Sequence, residues 1–123
     1  MAPLGSLLDR ALAALARQKS KDAERDLRQA LRLEPRHVGA LNLLGVALMQ
    51  QQHWAEAEAA IRQAIALGAP SETSFYNHGL ALKQLGRAAE ACDAFARAIA
   101  LNPAVADTWN SLGTALNDLE RYD

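Results

Sequence analysis

The sequence predicts an all-α protein built from repeated pairs of helices. Half of its 123 residues are apolar but only 5% are aromatic. The apolar content is therefore mostly Ala and Leu, which favour helices, with few β-branched residues to favour strands. Several series of residues also recur every 34 positions, and a fixed spacing of this size is typical of a repeat protein.

The recurring positions define the repeat register. One series is glycine, at Gly45, Gly79 and Gly113. Three more run in phase with it, namely Ala23, Ala57 and Ala91, then Ala30, Ala64 and Ala98, then Leu33, Leu67 and Leu101. A fifth series carries bulky side chains, at Leu7, Leu41, Phe75 and Trp109. This register predicts units at residues 4–37, 38–71, 72–105 and 106–123, the last of which has room for one helix only.

Each complete unit is predicted to contain two amphipathic helices. In the second unit, Leu41, Leu44 and Leu48 form one apolar stripe at helical spacing, and Ile61 and Ile65 begin another. The small residues of the glycine and alanine series are expected at the places where helices approach closely.

Glycine and proline mark the predicted helix ends. Gly86 is a candidate for the residue that ends the first helix of the third unit. Pro35, Pro70 and Pro103 separate the units. Each is predicted to stop the preceding helix and to occupy the first turn of the next.

These residues resemble the tetratricopeptide repeat (TPR) family, in a bacterial-type array. The resemblance rests on the segment from Trp109 to Leu116 and on the third unit's Phe75, Gly79, Ala91, Phe95, Ala98 and Pro103. It implies an α-α superhelix, a solenoid of antiparallel helix pairs, with about three and a half units and with the first helices lining a concave groove. The pattern departs from the family at Arg10 and His78, where other units have leucine, and at Ala69, where other linkers have proline.

The fourth unit lacks a second helix. A repeat array needs a polar terminal helix to cover its last apolar face, but Trp109, Leu112, Leu116 and Leu119 belong to an ordinary internal helix. We therefore expect the natural gene product to continue past Asp123.

Charge argues against nucleic acid and membrane partners. The chain has 13 basic and 14 acidic side chains, so it lacks the overall positive charge that such partners require. Residues 4–37 carry eight basic and five acidic groups. Because Asp22, Glu24 and Asp26 are interleaved with the basic residues, and Glu24 pairs with Arg28 at helical spacing, a solvated helix face is favoured over a nucleic-acid patch.

No catalytic, metal or cofactor site is expected. Cys92 and three histidines are too few for a structural zinc site, and Cys92 is interpreted as a small packing residue. His78 is interpreted as a partly buried histidine bonded to a neighbouring helix. The single cysteine and the lack of a signal peptide indicate a cytoplasmic protein.

The resemblance places the binding residues on the concave face. Amide side chains there suit the backbone of an extended peptide, and apolar ones suit its side chains. The expected groove residues are Asn42, Leu43, Val46 and Met49 in the second unit, Tyr76, Asn77, Leu80 and Lys83 in the third, and Asn110, Thr114 and Asn117 in the fourth.

Two subtypes of the family can be compared with this groove, and the residues disfavour the first of them. The co-chaperone type grips a carboxylate with Lys, Asn and Arg, and only Asn77 matches one of its slots. The O-linked N-acetylglucosamine transferase-like enzymes carry an asparagine ladder in their grooves; Asn77 matches the ladder, but Asn42 and Asn110 are displaced by one residue.

The sequence thus predicts a non-enzymatic interaction scaffold that binds a peptide or helical segment. Two alternatives remain open. One is the substrate-recruiting arm of a larger glycosyltransferase-like enzyme. The other is an oligomer that self-associates through the uncapped fourth-unit helix.

Overall fold

The structure is a computed structural model that describes residues 2–68 and 70–122. Its helices are α1 (Leu4–Ala16), α2 (Ser20–Leu33), α3 (Val38–Gln50), α4 (Trp54–Leu67), α5 (Glu72–Gln84), α6 (Ala88–Leu101) and α7 (Ala106–Tyr122). These residues contain no strand, so the predicted all-α fold is confirmed. Ala69, in the second linker, and Asp123, at the end of the fourth repeat, lie outside the described residues.

The helices form two compact units. The N-unit, Met1–Gly68, contains α1 to α4, and the C-unit, Ala69–Asp123, contains α5 to α7. In the N-unit, α1 packs on α2, α2 on α3, and α3 on α4. In the C-unit, α6 packs on both α5 and α7. Consecutive helices therefore pair, as the repeat register requires.

The glycine series permits close helix packing in two of its three members. A Cβ atom on Gly45 would lie 2.4 Å from Cγ1 of Ile61, and one on Gly79 would lie 2.5 Å from Cε1 of Phe95. Both partners are completely buried, so these glycines provide the space that the second helix of each pair fills. Gly113 differs, because a Cβ there would meet no atom within 4 Å.

The alanine series is buried as expected. All six members at positions 23, 57, 91, 30, 64 and 98 are at most 1% exposed. The bulky series is buried at Leu7, Leu41 and Phe75 but not at Trp109, whose side chain is 51% exposed. Its indole N–H instead donates to the carbonyl of Pro103, at 2.8 Å.

The three loops inside helix pairs share one backbone conformation. Gly86 has φ +78°, and the residues 34 and 68 positions earlier, Gln52 and Gln18, have φ +63° and +60°. The N–H of the next residue, Arg87, donates to the carbonyl of Leu82 at 2.9 Å, which closes the helix end. The predicted role of Gly86 is therefore confirmed, but two glutamines adopt the same left-handed conformation.

The predicted position of the prolines was wrong in part. They do separate the helix pairs, but Pro35 and Pro103 each lie three residues before the next helix begins. Side chains other than proline cap the starts of α3 and α5. At the start of α3, the Nδ1 atom of His37 accepts a hydrogen bond from the Ala40 N–H. At the start of α5, Ser71 and Ser74 form a reciprocal capping box.

Candidate functional site

The eleven predicted groove residues lie on the first helices of the second, third and fourth repeats. Four are on α3 in the N-unit, four on α5 and three on α7 in the C-unit.

The predicted groove residues of the N-unit are more apolar than those of the C-unit. Leu43, Val46 and Met49 on α3 are half-buried, with one side against the N-unit core and the other facing solvent. Leu8 on the neighbouring helix α1 is half-buried against the same core, and Leu12 is 51% exposed. We call this set, Leu8, Leu12, Leu43, Val46 and Met49, the α1/α3 surface.

Leu8 and Leu12 are absent from the predicted groove residues, although the repeat contains the signal for them. Leu12 lies 34 residues before Val46, and Leu8 lies 34 residues before Asn42. Since α1 and α3 contact each other, equivalent positions on the two helices fall on a common surface. Extending the groove by one period towards the N-terminus would have found both leucines.

Two amide side chains border this surface. Gln50 donates a long hydrogen bond, 3.4 Å, from Nε2 to the carbonyl of Leu15 on α1. The Oδ1 atom of Asn42 and the Oε1 atom of Gln50 are buried, and neither has a hydrogen-bond partner among the described residues. A buried acceptor without a donor costs about 1–3 kcal/mol.

In the C-unit, two of the four predicted groove residues on α5 pack against the hydrophobic core. Tyr76 and Leu80 pack against the cluster around Phe95, and the rings of Tyr76 and Phe95 are 5.9 Å apart. Asn77 and Lys83 are half-buried.

The predicted groove residues on α7 are exposed to solvent. Asn110, Thr114 and Asn117 are all exposed, and the Thr114 hydroxyl donates to the carbonyl of Asn110 within the same helix. These side chains form a polar helix face.

Arg10 on α1 forms an ion pair with Asp26 on α2. Its Nη2 and Nε atoms donate to the two carboxylate oxygens at 2.7 and 3.3 Å. Asp26 is only 2% exposed. The hydrogen bonds from Arg10 lower the pKa of Asp26 against the opposing effect of its burial. Arg10 therefore departs from the repeat pattern because it neutralises a buried carboxylate.

A second ionic cluster on α2 is centred on Glu24. The side chain of Gln51 donates to Glu24 at 2.8 Å, and Arg28 donates to the same carboxylate at 2.8 Å. Both contacts lower the pKa of Glu24. The predicted pairing of Glu24 with Arg28 is confirmed.

Cys92 and His78, the two residues considered for a redox or metal-binding role, both lie in helix packing contacts. Cys92 is half-buried against the C-unit core, and burial raises the pKa of its thiol, which disfavours the reactive thiolate. His78 is half-buried on α5 and interacts with Glu90 on α6. The described residues contain no group of three or more His, Cys, Asp or Glu side chains arranged to hold a metal ion.

A separate crevice lies between the second helices of the N-unit. It has a volume of about 420 Å³, with Leu31 on α2 and Leu44 on α3 among its apolar lining residues. Arg28 and Glu56 stand at its rim with their side chains 3.6 Å apart. None of its lining residues belongs to the α1/α3 surface.

Comparison with protein-family models gives a match to a tetratricopeptide repeat model over residues 8–72 and 76–123. Comparison with curated protein sequences gives no significant match. No helix in the described ranges combines the length and apolarity needed to cross a membrane.

Solved TPR structures have the same fold. The first TPR domain of Spaghetti (RPAP3), bound to the HSP90 peptide SRMEEVD, has a TM-score of 0.89 at 19% identity, with 95% of each chain covered. The second TPR domain of human RPAP3, in complex with the HSP70 peptide SGPTIEEVD, has a TM-score of 0.83 at 23% identity, with 89% of this chain and 92% of that one covered. Thermobaculum terrenum O-GlcNAc transferase has a TM-score of 0.86 at 25% identity; 94% of this chain aligns with 23% of that one.

Proposed function

Because the chain belongs to the tetratricopeptide repeat family, we propose that it is an interaction scaffold that binds a peptide or helical segment of another protein. Within each unit the proposed binding residues are those of the predicted groove, with Leu8 and Leu12 added in the N-unit. Two of the structural neighbours contain a bound peptide, which supports this class of function.

The exposed apolar residues on first helices carry the proposal. Leu12 is half exposed although it stands in a helix whose buried face is complete without it, since Leu7, Ala11 and Leu15 already fill the core side of α1. Leu43, Val46 and Met49 continue the apolar character onto α3. Burying such a patch releases about 25 cal/mol per Å² of apolar area, and a contiguous patch of this kind is typical of an interaction site.

The test is a capture experiment with matched exposed leucines. The chain with Leu12→Ser should capture less of its partner than the wild type, while Leu101→Ser should not differ from the wild type. Leu101 is 54% exposed and Leu12 51% exposed, so the two substitutions remove similar exposed area at different places. Equal capture by Leu12→Ser and the wild type would contradict the proposal.

The triple variant Leu43→Ser, Val46→Ser, Met49→Ser is a second, stronger perturbation. It should abolish capture, with the helical circular dichroism signal retained. Since all three residues also contact the core, its thermal stability must be measured beside its binding. Capture is compared at a temperature where both chains are folded.

A second candidate function is the substrate-recruiting arm of a larger glycosyltransferase. The observation that favours it is the alignment with a part of the O-GlcNAc transferase chain. Asn77 is its best candidate for an asparagine of the ladder. This function predicts a catalytic domain in the natural open reading frame, and a frame without one would exclude it.

A further inference from the structure

We propose that the α1/α3 surface selects an apolar segment that carries a basic residue, and that it rejects acidic peptides such as SRMEEVD. The inference rests on the proposed function and specifies the partner of the same surface.

The surface offers nothing that would bind a carboxylate. Helix α3, from Val38 to Gln50, has no ionisable side chain. Helix α1 has only Asp9 and Arg10. Arg10 lies at the register position of Leu44, which lines the crevice and is not part of the α1/α3 surface, and the Nη2 and Nε atoms of Arg10 donate to Asp26 on α2. An acidic peptide placed here would lose hydration without gaining a cationic partner, which is unfavourable.

Asp9 is the charge that remains. It is exposed and forms no ion pair among the residues described by the structure. Asp9 follows Leu8 directly and precedes Leu12 by three residues, so on the helix it lies beside the exposed leucine. By the repeat register it is the equivalent of Leu43, which is a member of the same surface.

A basic apolar segment complements all of these features. Its apolar side chains would cover Leu12, Val46 and Met49, and a Lys or Arg side chain would approach Asp9. The unsatisfied oxygen of Asn42 would accept a hydrogen bond from the segment after rotation of the Asn42 amide. Asp9 is solvent-exposed, so its pairing contributes mainly to the choice of partner and to the association rate.

The experiment uses three fluorescent peptides and the full 123-residue chain. The first peptide is a 16-residue amphipathic helix with leucines on one face and lysines on the other. The second has glutamate in place of every lysine, and the third is SRMEEVD. Fluorescence anisotropy at low ionic strength gives the dissociation constants. The lysine peptide should bind at least ten times more tightly than either acidic peptide, with the difference shrinking as salt is added.

The matched charge variants are Asp9→Lys and Glu34→Lys. Each changes the net charge by the same amount, and Glu34 is an exposed residue in the linker after α2. Asp9→Lys should reduce the preference for the lysine peptide several-fold more than Glu34→Lys does. Equal effects of the two variants would show that only overall charge matters, and would overturn the inference.

The remaining outcomes separate this inference from the proposed function. If SRMEEVD or the glutamate peptide binds as tightly as the lysine peptide and Leu12→Ser weakens that binding, the surface is a binding site but the inference is wrong. If the lysine peptide binds equally to the wild type and to Leu12→Ser, the peptide lies elsewhere and both proposals fail. Absence of binding by all three peptides also overturns the inference.

Discussion

Arg10 and Asp26 form an ion pair between α1 and α2 with a closest distance of 2.7 Å. The carboxylate is buried, whereas the guanidinium side chain is 53% exposed. At the equivalent positions the next repeat has Leu44 and Ala60, which are both buried and apolar. The first repeat has thus replaced an apolar contact with an ionic one.

This replacement predicts a strongly coupled pair of substitutions. Arg10→Leu alone leaves Asp26 buried without its main partner and should lower the melting temperature. Adding Asp26→Ala to that variant restores the residue pair found at Leu44 and Ala60. The double variant should recover most or all of the lost stability, because apolar replacements of buried ion pairs are often neutral or stabilising. A double variant less stable than Arg10→Leu, measured by thermal denaturation, would contradict this account.

The same ion pair predicts a dependence of stability on pH. Since Arg10 lowers the pKa of Asp26 in the folded state, the pair contributes fully above the unfolded pKa of Asp, about 3.9. That contribution is lost as the pH falls through the lower, folded value. In Arg10→Leu the Asp26 pKa should rise, so acid unfolding monitored by circular dichroism should have its midpoint at a higher pH. The variant Arg121→Leu, which removes an exposed positive charge near the end of α7, should keep the wild-type midpoint.

The glycine series predicts substitutions with opposite effects. Gly79→Ala forces the new Cβ against the buried ring of Phe95 and should destabilise the chain by about 1–3 kcal/mol. Gly113→Ala meets no atom within 4 Å and should stabilise α7 by about 0.5–1 kcal/mol, because Ala is the better helix former. Urea denaturation measures both. Equal destabilisation by the two substitutions would mean that Gly79 is not a packing glycine.

The positive φ angles in the loops within helix pairs predict that Gly86→Ala and Gln18→Gly have different effects on stability. Gly86→Ala places a side chain at φ +78° and should cost about 1 kcal/mol, since only Gly adopts this region without strain. Gln18→Gly, at φ +60°, should be neutral or stabilising by a few tenths of a kcal/mol, since relief of strain exceeds the added unfolded-state entropy. A strong loss of stability in Gln18→Gly would show that its side chain has a further role.

The sequence allowed the helices to be predicted well because the same small residues recur at every close contact. Gly45 and Gly79 face Ile61 and Phe95 as the register requires. The sequence did not predict the ion pair that distinguishes the first repeat. No periodic signal shows that Arg10 reaches Asp26, sixteen residues away on the next helix, because the pair occurs in one repeat only.

The candidate surface was only partly predictable. Val46 and Met49 follow from the register, but the predicted groove residues did not include the first repeat, to which Leu12 and Asp9 of the proposed site belong. Sequence spacing also does not show how deeply a side chain is buried. The repeat spacing therefore predicted both Tyr76 and Asn110 as groove residues, although Tyr76 packs near Phe95 and Asn110 is exposed.

The central claim is that a partner binds on the first helices of the N-unit, and backbone amide chemical shifts test it most directly. Titration of the isotopically labelled chain with the lysine peptide should perturb the amides around Leu12, Val46 and Met49. Shifts confined to residues of the crevice such as Leu31 and Ala59, with none around Leu12, Val46 and Met49, would contradict the claim.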